Sequence, residues 1–401
     1  MFNFEYYNPV KTIFGAGAFA LTGKKAAAIG RKAMLVNYLN PSSLLPLLDR
    51  LKIMLTQEGV QVVDFFAFEE NPSIDTVAEG VALAKSQACD MVISLGGGSV
   101  MDGGKAIAAG FYYSGELWEM VNHRHDGSGK TIAPPQKALP ILCIPTLPAT
   151  GSEMNMCAVV SNPKLREKSY IWAECLFPTL SILDPELTFS LPPFRTACAA
   201  ADAISHVLEI YINSRSDTPL QHAFQEGCMR VTMANVRAAL ANPHNVEARG
   251  NLMWAATCAI NGWAYPGDGW TPMHQVGHVL TSRYKINHGS SLTVIMPHWM
   301  RYCQSRRPEV YKNFAIRVMD VDPQHKDDQS IINEGINRFE AFLNEIGVPT
   351  KLSQCNVPVN EIAAICDDVA KVSFNSDGVL PCQPAISKED IHAILQKSIN
   401  A

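Results

Sequence analysis

Five residues in the second half of the chain have side chains that bind metal ions or carry protons. Asp202 and His206 lie four residues apart, a spacing that places both on one face of a helix. His274, His278 and His288 follow within a short stretch, and the first two are again four residues apart. An aspartate with neutral imidazoles is a ligand set for a divalent first-row metal ion. The pattern predicts a metal site of the catalytic type.

Two other interpretations have to be weighed against this prediction, a structural Asp–His pair and a zinc protease site. A single Asp and His at helical spacing is most often a surface pair or a core contact, so Asp202 and His206 alone would carry little weight. A zinc protease needs a glutamate directly after the first histidine of its helix, and this chain has Gln275 after His274. The sequence therefore argues against peptide hydrolysis.

A glycine-rich turn is the clearest feature of the first half. The apolar run Met91–Leu95 leads into Gly96–Ser99, and a helical pattern follows. Glycines at this position let backbone N–H groups approach a phosphate, and the helix N-terminus favours its negative charge. The turn is neither a Rossmann fingerprint, because Met101 replaces its third glycine, nor a P-loop, because Ala106 follows Lys105. A tight turn without a ligand is the alternative.

Two further polar loops also follow predicted strands. Thr146–Glu153 comes after the strand Leu139–Ile144, and Asn71 follows the strand Val60–Phe66. Open α/β sheets bind ligands at the carboxyl ends of their strands. Three polar loops at one edge of a sheet indicate a nucleotide.

The two halves of the chain differ in pattern. From Ala33 to Ile144, short β-branched runs alternate with amphipathic stretches such as Ile74–Ser86, which predicts βαβ units and a parallel sheet. After Leu191 the pattern is helical, with long periodic segments such as Arg195–Ile212. We expect an α/β dinucleotide-binding domain over residues 1–191 and an all-α metal-binding domain over residues 192–401.

Composition fits an enzyme-sized globular protein. The 401 residues are 47% hydrophobic and 18% charged, with a net charge of −5, which argues against nucleic acid as a partner. The 11 cysteines are scattered without C-x-x-C pairs, as expected for reduced thiols in the cytoplasm. Neither a secretory signal nor an apolar stretch of membrane-spanning length is predicted.

Taken together, these motifs resemble the iron-containing (group III) alcohol dehydrogenases. The resemblance runs from Phe14–Gly17 to the C-terminal helices, and two segments, Leu147–Gly151 and Met253–Thr257, are similar to the NADPH-dependent butanol dehydrogenase or aldehyde reductase branch. The family implies a dehydroquinate synthase-like architecture, in which an α/β dinucleotide-binding domain with a parallel sheet precedes an all-α domain. The site then lies in the cleft between the two.

The resemblance also implies roles for individual residues. The metal ligands would be Asp202, His206, His274 and His288, and His278 would lie beside the nicotinamide and substrate as the catalytic residue. Gly97, Gly98 and Ser99 would hold the pyrophosphate. The other residues expected around the cofactor are Asn71, Asp102, Thr146, Thr150, Asn155, Lys168 and Leu187.

One departure bears on the choice of cofactor. Many NAD-dependent members have an aspartate after the first strand of the βαβ series, where this chain reads Asn37–Ser43. Without a carboxylate to repel a 2′-phosphate, NADP(H) is favoured over NAD(H), with Asn40 and Ser42 as candidate contacts. Zinc and iron both suit the ligand set.

The expected reaction is metal-dependent hydride transfer between NAD(P)H and an aldehyde or primary alcohol, in a homodimer. The alternatives are a polyol dehydrogenase of the glycerol type that uses NAD, and a dehydroquinate synthase-like lyase. A nucleotide-binding protein without activity is a third possibility, although a degenerate relative would usually have lost part of the ligand set.

Overall fold

The structure is a computed structural model, and it describes residues 3–121, 134–213, 218–264 and 270–400. Its N-terminal part contains a parallel sheet of six strands in the order β1-β8-β5-β4-β2-β3. A two-stranded antiparallel hairpin, β6 and β7, lies outside the sheet. The strands are β1 Lys11–Phe14, β2 Lys32–Tyr38, β3 Gln61–Phe68, β4 Met91–Gly96, β5 Ile141–Pro145, β6 Cys157–Asn162, β7 Glu167–Trp172 and β8 Leu180–Leu183.

Helices cover both faces of the sheet and make up most of the C-terminal part that the structure describes. The N-terminal helices are α1 Thr22–Ala27, α2 Leu45–Gln57, α3 Ile74–Ser86 and α4 Gly98–Gly110. The C-terminal helices are α5 Pro193–Asn213, α6 Pro219–Ala241, α7 Val246–Ala259, α8 Pro272–Tyr284, α9 His288–Thr293, α10 Met296–Cys303, α11 Pro308–Arg317, α12 Asp328–Glu345, α13 Ile362–Ser373 and α14 Lys388–Asn400.

The central strands are buried on both sides, as parallel strands between helices require. One apolar cluster packs α3 and α4 against one face of the sheet, around residues such as Val92 and Ile107. A second packs α2 against the other face, around Leu51 and Ile93. The helical part has a core of its own, in which Trp299 is fully buried.

This architecture confirms the expected fold class, a parallel α/β sheet followed by a mostly helical C-terminal part. Consecutive parallel strands bring the loops after β2, β3, β4 and β5 to one edge of the sheet. Within the described ranges, no helix has the length and apolar character needed to cross a membrane.

Candidate active site

A cavity of about 450 Å³ lies where the carboxyl ends of the sheet strands face helices α5, α8 and α9. Most of the predicted site residues line it. These are Asn71, Gly97, Gly98, Ser99, Asp102, Thr150, Asn155 and Lys168 from the N-terminal part, with Asp202, His206, His274, His278 and His288 from the helices. The two halves of the chain thus contribute to one cavity.

Four of the residues expected around the cofactor do not belong to the lining that the structure describes. Thr146 is buried, with its N–H donating to the carbonyl of Gly96, and Leu187 packs in the apolar cluster on the α2 face of the sheet. Asn40 and Ser42 are exposed beyond the end of β2. A cofactor contact by any of these four stays a prediction.

Three histidines converge on a single oxygen of Asp202. The Nε2 atoms of His206, His274 and His288 lie 3.9, 3.6 and 3.7 Å from Asp202 Oδ1. Asp202 and His206 come from α5, while α8 and α9 begin close to His274 and at His288. The donor atoms of Asp202, His206 and His274 all lie within 4.8 Å of one another, close enough to share a metal ion.

The polar atoms of this cluster fit a cation. Asp202 Oδ1 and His274 Nε2 are buried without a hydrogen-bond partner in the described structure. A buried carboxylate oxygen left unpaired costs several kcal/mol, about the penalty that a metal ion would remove. Burial alone would raise the pKa of Asp202, but the charges of His206, His288 and His274 hold it below its usual range. The residues present therefore suit a divalent ion.

Glu209 belongs to this cluster, although the sequence analysis did not select it. It is fully buried on α5, and its carboxylate accepts hydrogen bonds from His274 Nδ1 and from the backbone N–H groups of Met273 and His274. Burial alone would lower the pKa of His274, but Glu209 and Asp202 raise it to about 9. The signal was present in the sequence, because Glu209 follows Asp202 by seven residues and His206 by three, on the same helix face.

His278 lies next to the cluster, on α8, one turn after His274. Its ring centroid is 5.4 Å from that of His288 and 6.1 Å from that of His274. Burial, together with the nearby Lys168, lowers the pKa of His278 well below its ordinary value. The imidazole is therefore neutral at physiological pH.

The glycine-rich turn connects β4 with α4 at the other end of the cavity. The N–H of Gly97 donates to the hydroxyl of Tyr38 at 3.2 Å, and Gly98 begins the helix. Ser99 Oγ accepts from the N–H of Asn71 at 3.2 Å, which ties the turn to the loop after β3. Because the turn opens a helix of 13 residues, it offers backbone N–H groups and a positive helix end to a phosphate.

A lysine and an asparagine bridge the turn and the histidines. Lys168 Nζ donates to Asn71 Oδ1 at 2.7 Å, and Asn71 has a left-handed backbone with φ 65°. Burial lowers the pKa of Lys168 to about 8. Lys168 on β7 is thus bonded to Asn71, which is bonded to the glycine-rich turn, and its charge also acts on His278.

Buried polar side chains support the loop after β5. Ser152 Oγ donates to Asp102 Oδ1 at 2.6 Å, and the N–H of Val159 donates to the other oxygen at 3.1 Å. Lys105, fully buried, donates from Nζ to the carbonyl oxygens of Asn155 and Cys157 and to the side-chain oxygen of Asn155. Asp102 thus holds Ser152 of this loop and Val159 of β6 at the wall of the cavity.

Two family matches cover nearly all of the chain. Residues 9–185 match the iron-containing alcohol dehydrogenase family, and residues 196–399 match the C-terminal region of Fe-containing alcohol dehydrogenases. The chain belongs to the iron-containing alcohol dehydrogenase family. Family membership confirms the resemblance drawn from the motifs, together with the oxidoreductase class.

Individual members of the family are similar over their full length. The probable NADH-dependent butanol dehydrogenase 1 of Bacillus subtilis is 34% identical, with 100% of each chain covered. The NADPH-dependent aldehyde reductase YqhD of Escherichia coli is 32% identical over 91% of this chain and 92% of its own. The crystal structure of NADH-dependent butanol dehydrogenase A from Thermotoga maritima superposes with a TM-score of 0.91 at 32% identity, covering 99% of this chain and 98% of that one.

These similarities indicate which cofactor and which kind of metal ion the protein uses. Family membership confirms the expectation of a nicotinamide cofactor and one divalent metal ion. The similar proteins include NADH-dependent and NADPH-dependent enzymes, so the choice between the two dinucleotides has to be argued from the residues of this chain.

Proposed function

We propose that this iron-type dehydrogenase reduces aldehydes to primary alcohols, and catalyses the reverse oxidation, in the cavity between the sheet and helices α5, α8 and α9. The observation that carries the proposal is the convergence of His206, His274 and His288 on Asp202 Oδ1 in the cavity that the glycine-rich turn also lines. The names of the relatives, butanol dehydrogenases and an aldehyde reductase, support the substrate class.

Different residues would bind the metal ion and the cofactor, at two ends of the cavity. Asp202, His206, His274 and His288 would hold the metal ion, and the turn at Gly97–Ser99 would hold the pyrophosphate of the cofactor. When bound, the metal ion supplies Lewis acidity to the substrate oxygen and the nicotinamide supplies or accepts the hydride. Lys168, fixed by Asn71, would orient the cofactor between these ends.

His278 is the residue proposed to move the proton. Reduction of an aldehyde produces an alkoxide that needs a proton, and His278 lies beside the ligand cluster. Since its low pKa keeps the imidazole neutral, His278 would donate the hydrogen on one ring nitrogen while the other nitrogen accepts one from a water molecule. His278 would therefore pass a proton from water to the alkoxide, and its imidazole would not be positively charged beforehand.

The experiment measures metal content and NADH and NADPH oxidation with butanal. We expect His274→Ala to lose both the metal and the activity, and His278→Ala to keep the metal and lose turnover. His392→Ala is the control, because His392 is exposed on α14. Unchanged metal content and rate in His274→Ala would contradict the proposal. Glycerol and other polyols in the same screen test the polyol dehydrogenase alternative.

Location and assembly are also proposals. All eleven cysteines lie in the described ranges as free thiols, which supports a reducing compartment and hence the cytoplasm. A homodimer is the assembly that the family resemblance implies, and sedimentation velocity tests it.

A further inference from the structure

The two carboxylate oxygens of Glu209 have different partners. Oε1 accepts from His274 Nδ1, while Oε2 accepts from the backbone N–H groups of Met273 at 2.5 Å and His274 at 3.2 Å. The side chain is fully buried, so water cannot replace any of these bonds. A single side chain on α5 thereby holds both the ring and the backbone of a residue on α8.

The bonds to the backbone fall at the start of α8. Thr271 is the residue before the helix, and its side chain accepts no hydrogen bond from the N–H groups of the first turn. Pro272, the first residue of the helix, has no N–H group. The first N–H groups of a helix lack partners within it and need acceptors from elsewhere. Glu209 supplies that acceptor from α5, so it caps α8 in place of a residue from the local sequence.

The bond to the ring determines which nitrogen of His274 faces the ligand cluster. An ionised carboxylate only accepts hydrogen bonds, so Nδ1 must carry the hydrogen. The other nitrogen, Nε2, points towards Asp202 Oδ1 at 3.6 Å. Metal-binding histidines commonly have their second nitrogen bonded to a carboxylate in this way.

We infer that Glu209 is the positioning residue of the metal site: it fixes His274 with Nε2 towards Asp202 and fixes the start of α8 against α5. The inference rests on the proposed metal site. Asp202, His206 and Glu209 share one face of α5. A single helix therefore carries two of the metal ligands and also the residue that fixes a third ligand, His274.

Glutamine at position 209 separates the two functions of the carboxylate. A glutamine amide has one acceptor oxygen and one NH₂ group. If the oxygen faces the N–H groups of α8, the NH₂ group faces His274 Nδ1 and favours the tautomer with hydrogen on Nε2, and that nitrogen then has no lone pair for a metal ion. If the oxygen faces Nδ1, the NH₂ group faces two N–H donors and the cap is lost.

The experiment compares Glu209→Gln with Glu226→Gln by competition of the protein with a chelator for Zn²⁺. Glu226 is a matched control, a buried carboxylate on α6 that accepts from Tyr211 Oη at 2.9 Å and from Arg317 Nη1 at 3.3 Å. We expect Glu209→Gln to bind Zn²⁺ about 10- to 100-fold more weakly, Glu226→Gln to match the wild type, and Glu209→Asp to lie between. Equal Zn²⁺ affinity in Glu209→Gln and the wild type would overturn the inference.

A second measurement does not depend on the folding of the variant. In the Zn²⁺-loaded wild-type protein, NMR of ¹⁵N-labelled histidine should show that the Nδ1–H proton of His274 is protected from exchange with water by its bond to buried Glu209, and rapid exchange of that proton would overturn the inference. Fluorescence of bound NADH and the rate with butanal report on the proposed function separately. An active wild type with an unaffected Glu209→Gln would reject only the role of Glu209.

Discussion

Gly98 lies against the side chain of Thr150, so closely that a Cβ atom on Gly98 would stand 2.7 Å from Thr150 Oγ1. This contact joins the turn after β4 to the loop after β5, and Thr150 Oγ1 also accepts from the N–H of Ser152 at 3.3 Å. An alanine at position 98 must displace the Thr150 side chain, which lines the cofactor end of the cavity.

We therefore expect Gly98→Ala to weaken NADH and NADPH binding by at least about tenfold, the effect of a loss near 1.4 kcal/mol. Titration of the cofactor by fluorescence measures the change. Gly227→Ala is the control, because a Cβ on this α6 glycine meets no atom within 4 Å. Because Thr150 also lines the cavity, Gly98→Ala should weaken binding less in a Thr150→Ala background than in the wild type, and an equal loss in both backgrounds would show that the Thr150 side chain is not the obstacle.

Lys168 should make cofactor binding depend on pH. Burial lowers its pKa to about 8, so the ammonium group is charged below pH 8 and loses its charge as the pH rises. Because the cofactor is an anion, its affinity should fall above pH 8. Lys168→Arg should extend tight binding to higher pH, since a guanidinium keeps its charge.

The measurement is the dissociation constant of NADH between pH 6.5 and 9.5. Lys164→Met serves as the control, because the Lys164 ammonium is exposed in a surface pair with Asp75 and should not affect the profile. An identical profile for the wild type and Lys168→Arg would assign the pH dependence to another group.

The sequence predicted the elements with strong periodicity almost to the residue. The pattern over Ile74–Ser86 gave α3 with its observed ends, and Arg195–Ile212 differs from α5 by two residues at one end and one at the other. Two strands were not predicted. β1 has four residues and pairs only with β8, and β7 alternates Lys168, Tyr170 and Trp172 towards the cavity, so neither has the apolar run of a central strand.

The residues of the site were likewise predicted only in part. The spacing of Asp202, His206, His274 and His278 along single helices was visible in the sequence, and the structure brings these residues into one cavity. The bond from Glu209 to His274 joins residues 65 positions apart, and a helical spacing cannot reveal which face meets which partner. Lys105 was likewise considered only as a P-loop residue, because its three acceptors belong to Asn155 and Cys157, about 50 residues further along the chain.

Glu153 is a buried carboxyl group next to helix α7, where burial disfavours its ionised form. It contacts the hydroxyl of Thr257 on α7, and that hydroxyl already donates to the carbonyl of Met253 at 2.9 Å. The Thr257 hydroxyl also donates to Glu153 Oε1, so its one hydrogen is shared between two acceptors and offsets only part of the cost of burying an ionised carboxylate. Burial correspondingly raises the pKa of Glu153.

The raised pKa of Glu153 predicts that the free energy of unfolding falls as the pH rises. Its contribution to the free energy of unfolding is complete below the unfolded value of 4.5 and is lost as the pH rises towards the folded pKa. Glu153→Gln cannot ionise, so its stability relative to the wild type should increase with pH above 4.5, by up to about 1.4 kcal/mol per pH unit. Urea unfolding at pH 5 to 8 measures it, with exposed Glu79→Gln as the control. A constant difference across this range would mean that Glu153 is ionised.

An ion pair between Glu70 and Arg195 crosses the mouth of the cavity and should influence the choice of cofactor. Glu70 follows β3, Arg195 lies in the first turn of α5, and both line the cavity. Tyr38, at the end of β2, feels the charge of both residues. An arginine near this strand end is the group that accommodates a 2′-phosphate in related dinucleotide sites, and a carboxylate there disfavours one.

Glu70→Gln should therefore release Arg195 and remove a negative charge, which favours NADPH over NADH. Because both side chains are partly exposed, the effect should stay within about 1 kcal/mol, or about a fivefold change in the ratio of the two dissociation constants. Asp64→Asn is the matched control, since it breaks the exposed pair with Lys52, outside the cavity lining. Equal tightening of NADH and NADPH in Glu70→Gln would instead show that Arg195 acts on the pyrophosphate that both cofactors share, and Asn40 and Ser42 would remain the candidates for the 2′-phosphate.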